Sequence, residues 1–278
     1  MPNDPDVLIS GTAKFLLQYL LNPILVSFLM MRDILDLTML ALRNQEFNLP
    51  QTAQRAAHIC FRMRSPYLPQ DDNLKTIFIH VPKAAGTSVR RALYDTKSFH
   101  DTKSFHIPAI RYQISDPKRF ADYYKFCFVR NPWDRMKSAF HYLHRRIGAD
   151  PAFPDHRWAT LFLEPVKSFE HFLSKMENEE RYRRQIRRYI HFRDQLDWIS
   201  KPETTGRKIL IDHVGKYETL KEDYALISQK LNLKIELPHE RRLSDGRDFR
   251  HAYRLSRMVD IVADIYSDDV EQFGYTFE

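Results

Sequence analysis

The stretch KTIFIHVPKAAGTS, residues 75–88, decides the fold because it combines a strand, a tight loop and a helix start. Its first half is rich in β-branched and aromatic residues, which is typical of a buried strand. Pro82 cannot donate to a sheet ladder and is predicted to end this strand. Gly86, one of only seven glycines in the chain, is expected to take a positive φ. Thr87 or Ser88 is expected to cap the helix that VRRALY begins.

Lys83 and the small residues after it favour an anion-binding loop. Successive backbone amides at a helix start, together with one lysine, make a site suited to phosphate. The loop is not the nucleotide-binding sequence G-x-x-x-x-G-K-[ST], because Lys83 precedes Gly86 instead of following a glycine. An ordinary ATPase or GTPase is therefore disfavoured. For this loop taken alone, an ordinary strand-to-helix turn stays an open alternative.

A second strand-like run, KFCFVR at residues 125–130, is followed by NPWDRMKS. Asn131 is a good helix N-cap, and Pro132 fits the first helical turn. Arg130 is thus predicted at the carboxyl end of a strand, where open α/β sheets bind ligands. An arginine fork at this point, with the Ser138 hydroxyl on the following helix, suits a second phosphate.

These two motifs resemble those of the PAPS-dependent sulfotransferases. HVPKAAGTS is similar to their 5′-phosphosulfate loop, and FVRNPWDRMKSAFHYL is similar to their 3′-phosphate motif. The likeness is to the family 2, or carbohydrate sulfotransferase, type, and a bacterial relative is expected. IDHVGKYETL at residues 211–220 resembles the family's strand and Glu-containing turn, and DIYSDDVEQFGYTF resembles its C-terminal helix and end. The resemblance extends over residues 71–278.

The resemblance implies an α/β fold of the P-loop NTPase-like type, with three layers and a mostly parallel sheet. It implies PAPS as the sulfuryl donor, no metal, and a hydroxyl of a carbohydrate or glycolipid as the acceptor. Lys83 would stabilise the leaving group, and Arg130 and Ser138 would bind the 3′-phosphate. The phosphosulfate itself would be bound by the loop and helix start, namely Lys83, Ala84, Ala85, Gly86, Thr87 and Ser88.

An identical tandem repeat, DTKSFH, occupies residues 95–100 and 101–106. HIPAIRYQI, which begins at His106, resembles the family segment that carries a histidine near the acceptor. The resemblance implies that His106 is the general base, a role that suits a histidine because its ordinary pKa is about 6.5. An ordinary exposed histidine is the alternative, and His100 is the duplicate that would replace it.

A run of six arginines follows in ERYRRQIRRYIHFR, residues 180–193. At helical spacing one face is shared by Arg184, Arg187 and Arg188, and it extends to Arg181. This face either binds an acidic substrate or is a solvated surface partly paired with neighbouring carboxylates. HFRDQ, residues 191–195, resembles a short family stretch with a histidine and a glutamine near the active site.

The first seventy residues lie outside the resemblance. Phe15–Met31 is apolar but interrupted by polar residues, and apolar residues continue at helical spacing through Leu42. Three interpretations stay open: packed helices, an interfacial membrane helix, or a membrane span. Pro66–Asn73 is expected to be a linker, which divides the chain into an N-terminal helical extension, residues 1–70, and a catalytic domain, residues 71–278.

The net charge of +7 predicts an anionic partner, and nothing beyond it indicates nucleic acid. Cys60 and Cys127 are too few for a disulfide framework, and the sequence has no Asn-x-Ser/Thr sequon. Both features favour a cytoplasmic protein, membrane-associated if residues 15–42 contact a bilayer, over a Golgi type II membrane enzyme. The sequence does not predict the oligomeric state.

Two other function classes stay open at this stage. Asp212, near the end of the apolar run KILIDHV, would fit a Walker B strand that holds Mg²⁺ in a kinase-like NTPase. A non-catalytic membrane or glycan-binding protein would be a second possibility. The presence of Lys83, Arg130, Ser138 and His106 argues against that second class.

Overall fold

The computed structural model describes residues 65–94, 106–233, 237 and 248–278. The chain divides into two compact units, Met1–Ser65 and Pro66–Glu278, and all described residues except Ser65 belong to the second. The interpretations of residues 15–42, and the candidate base His100, lie outside the described residues. The division into residues 1–70 and 71–278 stays a prediction.

The elements of the second unit alternate between short strands and helices. The strands are β1 Thr76–Ile79, β2 Tyr124–Val129, β3 Ser200–Pro202, β4 Arg207–Ile209 and β5 His213–Lys216. The helices are α1 Pro69–Leu74, α2 Gly86–Tyr94, α3 Ala109–Ser115, α4 Pro117–Asp122, α5 Pro132–His144, α6 Pro154–Leu163, α7 Phe169–Asn178, α8 Glu180–Arg188, α9 Leu196–Ile199, α10 Leu220–Lys230, a 3₁₀ turn Phe249–Ala252, α11 Ser256–Ile265 and α12 Ser267–Phe273. In the part of the chain that the structure describes, no helix combines the length and apolar composition that crossing a bilayer requires.

Three strands form a parallel sheet in the order β1-β2-β5. Ile77 lies opposite Lys125, and Phe126 lies opposite His213, so the three carboxyl ends meet at one edge. β3 and β4 form a separate antiparallel pair. The predicted α/β fold with a mostly parallel sheet is confirmed, and its carboxyl edge is where such sheets bind ligands.

Helices cover both faces of this sheet. Side chains alternate along each strand, so each face presents its own set of residues to the helices. Ile77 and Ile79 pack on one face in a core that includes Met136 of α5 and Phe172 of α7. Phe78, Phe126 and Phe128 pack on the other face against Val89 and Leu93 of α2 and Ile227 of α10. Each fully buried side chain of this size contributes about 1.5–3 kcal/mol to stability. The sheet is therefore the middle of three layers.

The ends of the predicted elements show one success and two corrections. Asn131 caps α5 as predicted, because its side-chain oxygen accepts from the amides of Trp133 and Asp134. Thr87 and Ser88 do not cap the next element: α2 begins at Gly86, so both lie inside its first turn.

The predicted linker Pro66–Asn73 is also wrong. Five of its eight residues belong to α1, and Tyr67 is buried in the core. The hydroxyl of Tyr67 lies 3.1 Å from each of two acceptors, the carbonyls of Tyr112 and Asp116, which ties this segment to α3. A residue with such contacts belongs to the folded unit.

The Walker B interpretation of Asp212 is wrong because of its place in the sheet. Asp212 precedes β5, and its Oδ2 accepts from the backbone amide and from Nζ of Lys125, at 2.8 and 2.9 Å. Lys125 stands near the amino end of β2. Asp212 therefore lies at the amino edge of the sheet, opposite the carboxyl edge where such sheets bind ligands.

Candidate active site

The loop between β1 and α2 has an unusual backbone. Lys83 and Ala85 adopt the left-handed conformation, with φ of 69° and 60°. The prediction that Gly86 supplies the positive φ is therefore wrong. Gly86 instead leaves room for the His80 ring, because a Cβ at residue 86 would lie 1.7 Å from Cδ2 of His80. Left-handed residues cost about 1–2 kcal/mol each, and successive amides in such turns form anion-binding concavities.

Lys83 is the cation of this loop. Its Nζ lies 4.0 Å from the centre of the Tyr142 ring, on α5. Burial, followed by the nearby charges of Arg130 and Arg146, lowers the pKa of Lys83 to about 7, against a smaller opposing effect of Asp155. An anionic ligand would restore the charge of this lysine, since an opposite charge favours the protonated form.

Arg130 joins the end of β2 to the loop after β1. Its Nη1 donates to the carbonyl of Lys83 at 3.1 Å, while Nε and Nη2 donate to Oδ2 of Asp134 at 2.8 and 2.7 Å. The guanidinium stacks 4.2 Å from the centre of the Tyr217 ring. Three of its five N–H groups thus have acceptors within the described residues, which leaves two for a ligand.

The backbone of Arg130 is held by the side chain of Gln195. Oε1 of Gln195 accepts from the Arg130 amide at 2.8 Å, and its Nε2 donates to the Arg130 carbonyl at 2.9 Å. The amides of Gln195 and Leu196 donate in turn to the buried carboxylate of Asp269, at 2.8 and 3.0 Å. Burial raises the pKa of Asp269 to about 6. Arg130 is therefore fixed by a buried network.

Asn131 forms hydrogen bonds with later parts of the chain at the same carboxyl edge of the sheet. Its amide donates to Oε1 of Glu218 at 2.7 Å, and its Nδ2 donates to the carbonyl of Thr276 at 2.9 Å. The hydroxyl of Tyr275 donates to the other oxygen of Glu218 at 2.9 Å. The turn after β5 and the C-terminal end, both singled out in the sequence, thus meet the start of α5.

His106 is half-buried beside two buried histidines, His80 and His191. Its Nδ1 lies 3.0 Å from the carbonyl of His80, which can only accept, so Nδ1 carries the proton and Nε2 is the accepting nitrogen. Its ring centre is 4.3 Å from that of His80 and 5.9 Å from that of His191. Burial, followed by His191, lowers the pKa of His106 to about 3. His106 is therefore neutral at physiological pH.

Asp155 connects the histidine cluster to Lys83. Its carboxylate accepts from Nε2 of His191 at 3.2 Å, from the hydroxyl of Tyr142 at 2.8 Å and from the hydroxyl of Tyr189. Burial alone would raise the pKa of Asp155, but these hydrogen bonds hold it well below its usual range. Since Tyr142 is the ring beside Lys83, one network joins the two sides of the site.

Comparison with known proteins agrees with this geometry. Residues 67–276, about three quarters of the chain, match the sulfotransferase family. The chain belongs to this family. It is therefore a sulfotransferase, an enzyme of class EC 2.8.2 that moves a sulfuryl group from a sulfate donor to an acceptor. The resemblance to the family 2 type is confirmed.

The sulfotransferase is also similar to an uncharacterised protein of Archaeoglobus fulgidus. The two are 30% identical over 120 residues, which is 43% of this chain and 77% of the relative. No solved structure matches the chain significantly. Among residues 65–94, 106–233 and 248–278, no group of three His, Cys, Asp or Glu side chains is placed to hold a metal ion.

Three hydroxyl-bearing residues of the predicted donor site keep their roles as predictions. Ser138 is half-buried in the middle of α5, eight residues after Arg130. Thr87 and Ser88 are half-buried in the first turn of α2, which begins directly after the loop that contains Lys83.

The arginine face of the sulfotransferase is partly paired. Arg187 donates twice to Asp194, at 2.8 and 2.7 Å, and Arg184 pairs with Glu180. Arg181 and Arg188 are exposed on α8. Of the two interpretations of this run, Arg184 and Arg187 fit the second, a solvated surface partly paired with neighbouring carboxylates.

Sequence reasoning missed the carboxylate at the centre of this candidate site. Asp155 follows Pro154 at a helix start, where an acidic residue needs no special explanation. Its partners Tyr142, Tyr189 and His191 are 13, 34 and 36 residues away, so no local pattern connects them. HFRDQ was the one available signal, because it contains both His191 and Gln195.

Proposed function

We propose that this sulfotransferase transfers the sulfuryl group of PAPS to a hydroxyl of a carbohydrate or glycolipid. The observation that carries the proposal is the hydrogen bond between Arg130 and the Lys83 carbonyl. PAPS bears a phosphosulfate at its 5′ position and a phosphate at its 3′ position. A site for it therefore needs two anion-binding groups. In this chain Lys83 and Arg130 follow β1 and β2, which are neighbouring strands.

The donor's phosphosulfate suits the loop after β1. Lys83 and Ala85 are left-handed and α2 begins directly after them, and turns of this kind form anion-binding concavities from successive amides. The amides of residues 84–87, with the hydroxyls of Thr87 and Ser88, would bind the phosphosulfate oxygens. Lys83 would place its ammonium near the bridging oxygen, on which negative charge builds as the sulfur–oxygen bond breaks.

The 3′-phosphate distinguishes PAPS from ATP and ADP, and Arg130 is assigned to it. Two N–H groups of its guanidinium have no acceptor within the described residues, and the stacked ring of Tyr217 supports its plane. The Ser138 hydroxyl would provide a further donor from α5. Because Gln195 fixes the backbone of Arg130, this contact is preorganised.

His106 would receive the proton of the acceptor. Its Nδ1–H is engaged by the carbonyl of His80, so Nε2 has the free electron pair. The acceptor oxygen forms its new bond to sulfur as the bond between sulfur and the bridging oxygen breaks. The hydroxyl proton passes to Nε2 of His106, and the electron pair of the broken bond leaves with the nucleotide beside Lys83.

Incubation with PAPS and a panel of glycans and glycolipids tests the proposal. Mass spectrometry should detect a product that gains one sulfuryl group, together with PAP, and both should form about a hundredfold more slowly with Lys83→Ala. Transfer only to a phenol or a peptide would overturn the acceptor class. Transfer from adenylyl sulfate, which lacks the 3′-phosphate, at the same rate would overturn the donor assignment.

A further inference from the structure

The carboxylate of Asp155 receives more hydrogen bonds than its position requires. It stands in the first turn of α6, where a single interaction with the helix start would suffice. Instead, donors reach it from three segments: Tyr142 on α5, Tyr189 just after α8, and His191 in the loop beyond. A carboxylate with all three of these hydrogen bonds formed fixes the relative positions of its donors.

The first consequence is the tautomer of His191. The carboxylate can only accept, so Nε2 of His191 carries the proton and Nδ1 has the free electron pair. His191 is only 6% exposed, and its Nδ1 has no hydrogen-bond partner within the described residues. A buried acceptor without a partner costs about 1–3 kcal/mol. This nitrogen belongs to a ring that stands edge-on to His106, with centres 5.9 Å apart.

The second consequence concerns Lys83. The ring of Tyr142 has Nζ of Lys83 at 4.0 Å from its centre and the guanidinium of Arg146 at 3.6 Å. Its hydroxyl is anchored on Asp155. The hydrogen bond to Asp155 therefore fixes the aromatic surface that Lys83 contacts, and it places a negative charge near two cations.

The charged and titratable groups around these side chains come from several elements. Lys83 is surrounded by Arg130, Arg145, Arg146 and Asp155. His106 is surrounded by His80, His191, Arg90 and Asp155, and His191 by Asp155, Lys83 and Arg135. Asp155 is present in all three surroundings, and in each it favours the protonated form.

We propose that Asp155 is a positioning residue of the sulfotransferase site. On the acceptor side it fixes His191 with Nδ1 unprotonated beside His106, and on the donor side it fixes the Tyr142 ring that Lys83 contacts and favours the charged form of Lys83. Asp155 touches neither substrate; it acts through these three side chains. The inference rests on the proposed function, since it gives Lys83 and His106 their catalytic roles.

Titration of the ligand-free protein by NMR tests this inference without any substrate. In Asp155→Asn we expect the midpoint of Lys83 to fall by about one pH unit and His191 to lose its preference for the Nε2–H tautomer. Asp264→Asn, which removes a surface charge paired with Arg183, is the matched control and should change neither. An unchanged Lys83 midpoint and an unchanged tautomer in Asp155→Asn would overturn the proposal.

Calorimetric binding of PAP then gives a signature that a folding defect does not produce. At pH 5, where Lys83 is protonated in both proteins, Asp155→Asn should bind PAP at least as tightly, because a carboxylate near the anion is gone. At pH 8 it should bind about twofold more weakly, because its Lys83 is further deprotonated and the lysine charge adds only modestly to PAP affinity. A uniform loss at both pH values would indicate a purely structural role and would contradict the inference.

The two proposals fail separately. If wild type binds no PAP at any pH, the donor assignment fails, whereas the Lys83 and His191 titrations still decide the role of Asp155. Should Asp155→Asn not fold, Tyr142→Phe replaces it, since it releases one hydrogen bond and keeps both the ring and the carboxylate. We expect a smaller shift of the Lys83 midpoint in the same direction, and no shift would refute the donor-side half.

Discussion

Arg130 donates a hydrogen bond from Nη1 to the backbone carbonyl of Lys83, over 3.1 Å. The two residues are 47 positions apart and follow different strands. This bond fixes the loop that presents the Lys83 ammonium relative to the guanidinium assigned to the 3′-phosphate. The spacing of the two anion-binding groups is therefore set before any ligand arrives, and such preorganisation is what charge stabilisation in a transition state requires.

Lys83→Ala should lose turnover far more than nucleotide affinity. The ammonium is assigned to charge that develops only as the sulfur–oxygen bond breaks, whereas backbone amides carry most of the ground-state binding. We expect kcat to fall about a hundredfold or more, with a much smaller change in PAP affinity. Lys208→Ala, at an exposed lysine of β4, is the matched control. Equal losses in kcat and affinity would mean that Lys83 only binds.

Gly86→Ala should destabilise the site through His80. The added methyl would lie 1.7 Å from Cδ2 of that buried ring, so either the ring or α2 must move. Overpacking of this kind costs about 3 kcal/mol. Gly148→Ala is a useful control, because Gly148 has a φ of +71° but open space around it, and only about 1 kcal/mol of backbone strain is expected. Thermal unfolding of both variants compares them, and equal losses would contradict the contact.

The contrast between these two glycines shows what the sequence could predict. The strand, loop and helix around Lys83 and the N-cap at Asn131 follow from local chemistry, so they were predictable from short windows. The role of Gly86 was not predictable from a short window, because the His80 ring comes close to Gly86 only once the intervening loop has folded. Local propensity placed the positive φ on glycine, but the loop imposes it on Lys83 and Ala85 instead.

The candidate site was predictable to the same extent. Lys83 and Arg130 stand at strand ends within recognisable motifs, so their shared edge follows from a parallel sheet. Asp155 and Gln195 act through contacts that span more than thirty residues and depend on how helices pack. Asp212 failed for a related reason: an acidic residue beside a strand does not reveal at which end of the sheet it stands.

Gln195→Leu should weaken donor binding although it alters none of the side chains assigned to the donor. The change leaves the amide and carbonyl of Arg130 buried without partners, at about 1–3 kcal/mol for each group. We expect a lower melting temperature and about a tenfold loss of PAP affinity as Arg130 shifts. Gln185→Leu, at a half-buried glutamine of α8, should leave PAP affinity unchanged. Unaltered PAP affinity in Gln195→Leu would show that its clamp on Arg130 is dispensable.

The pH profile of kcat/KM should be flat on its acid side and should fall above pH 7. The lowered pKa of Lys83, about 7, means that its charged form is lost as pH rises through that value. The lowered pKa of His106, about 3, means that its neutral, proton-accepting form persists down to acid pH. We expect kcat/KM to fall about tenfold per unit above pH 7. A rising limb between pH 5 and 7 that His106→Gln removes would contradict these protonation states.

Calorimetric titration with PAP, ADP and Mg·ATP, in wild type and Arg130→Ala, tests the central claim most directly. We expect PAP to bind at least about tenfold more tightly than ADP or Mg·ATP, because only PAP has the 3′-phosphate. Arg130→Ala should abolish that preference by weakening PAP far more than ADP or Mg·ATP, and Arg184→Ala, at an exposed arginine of α8, should preserve it. Tighter binding of Mg·ATP, or a preference for PAP that survives Arg130→Ala, would contradict the account.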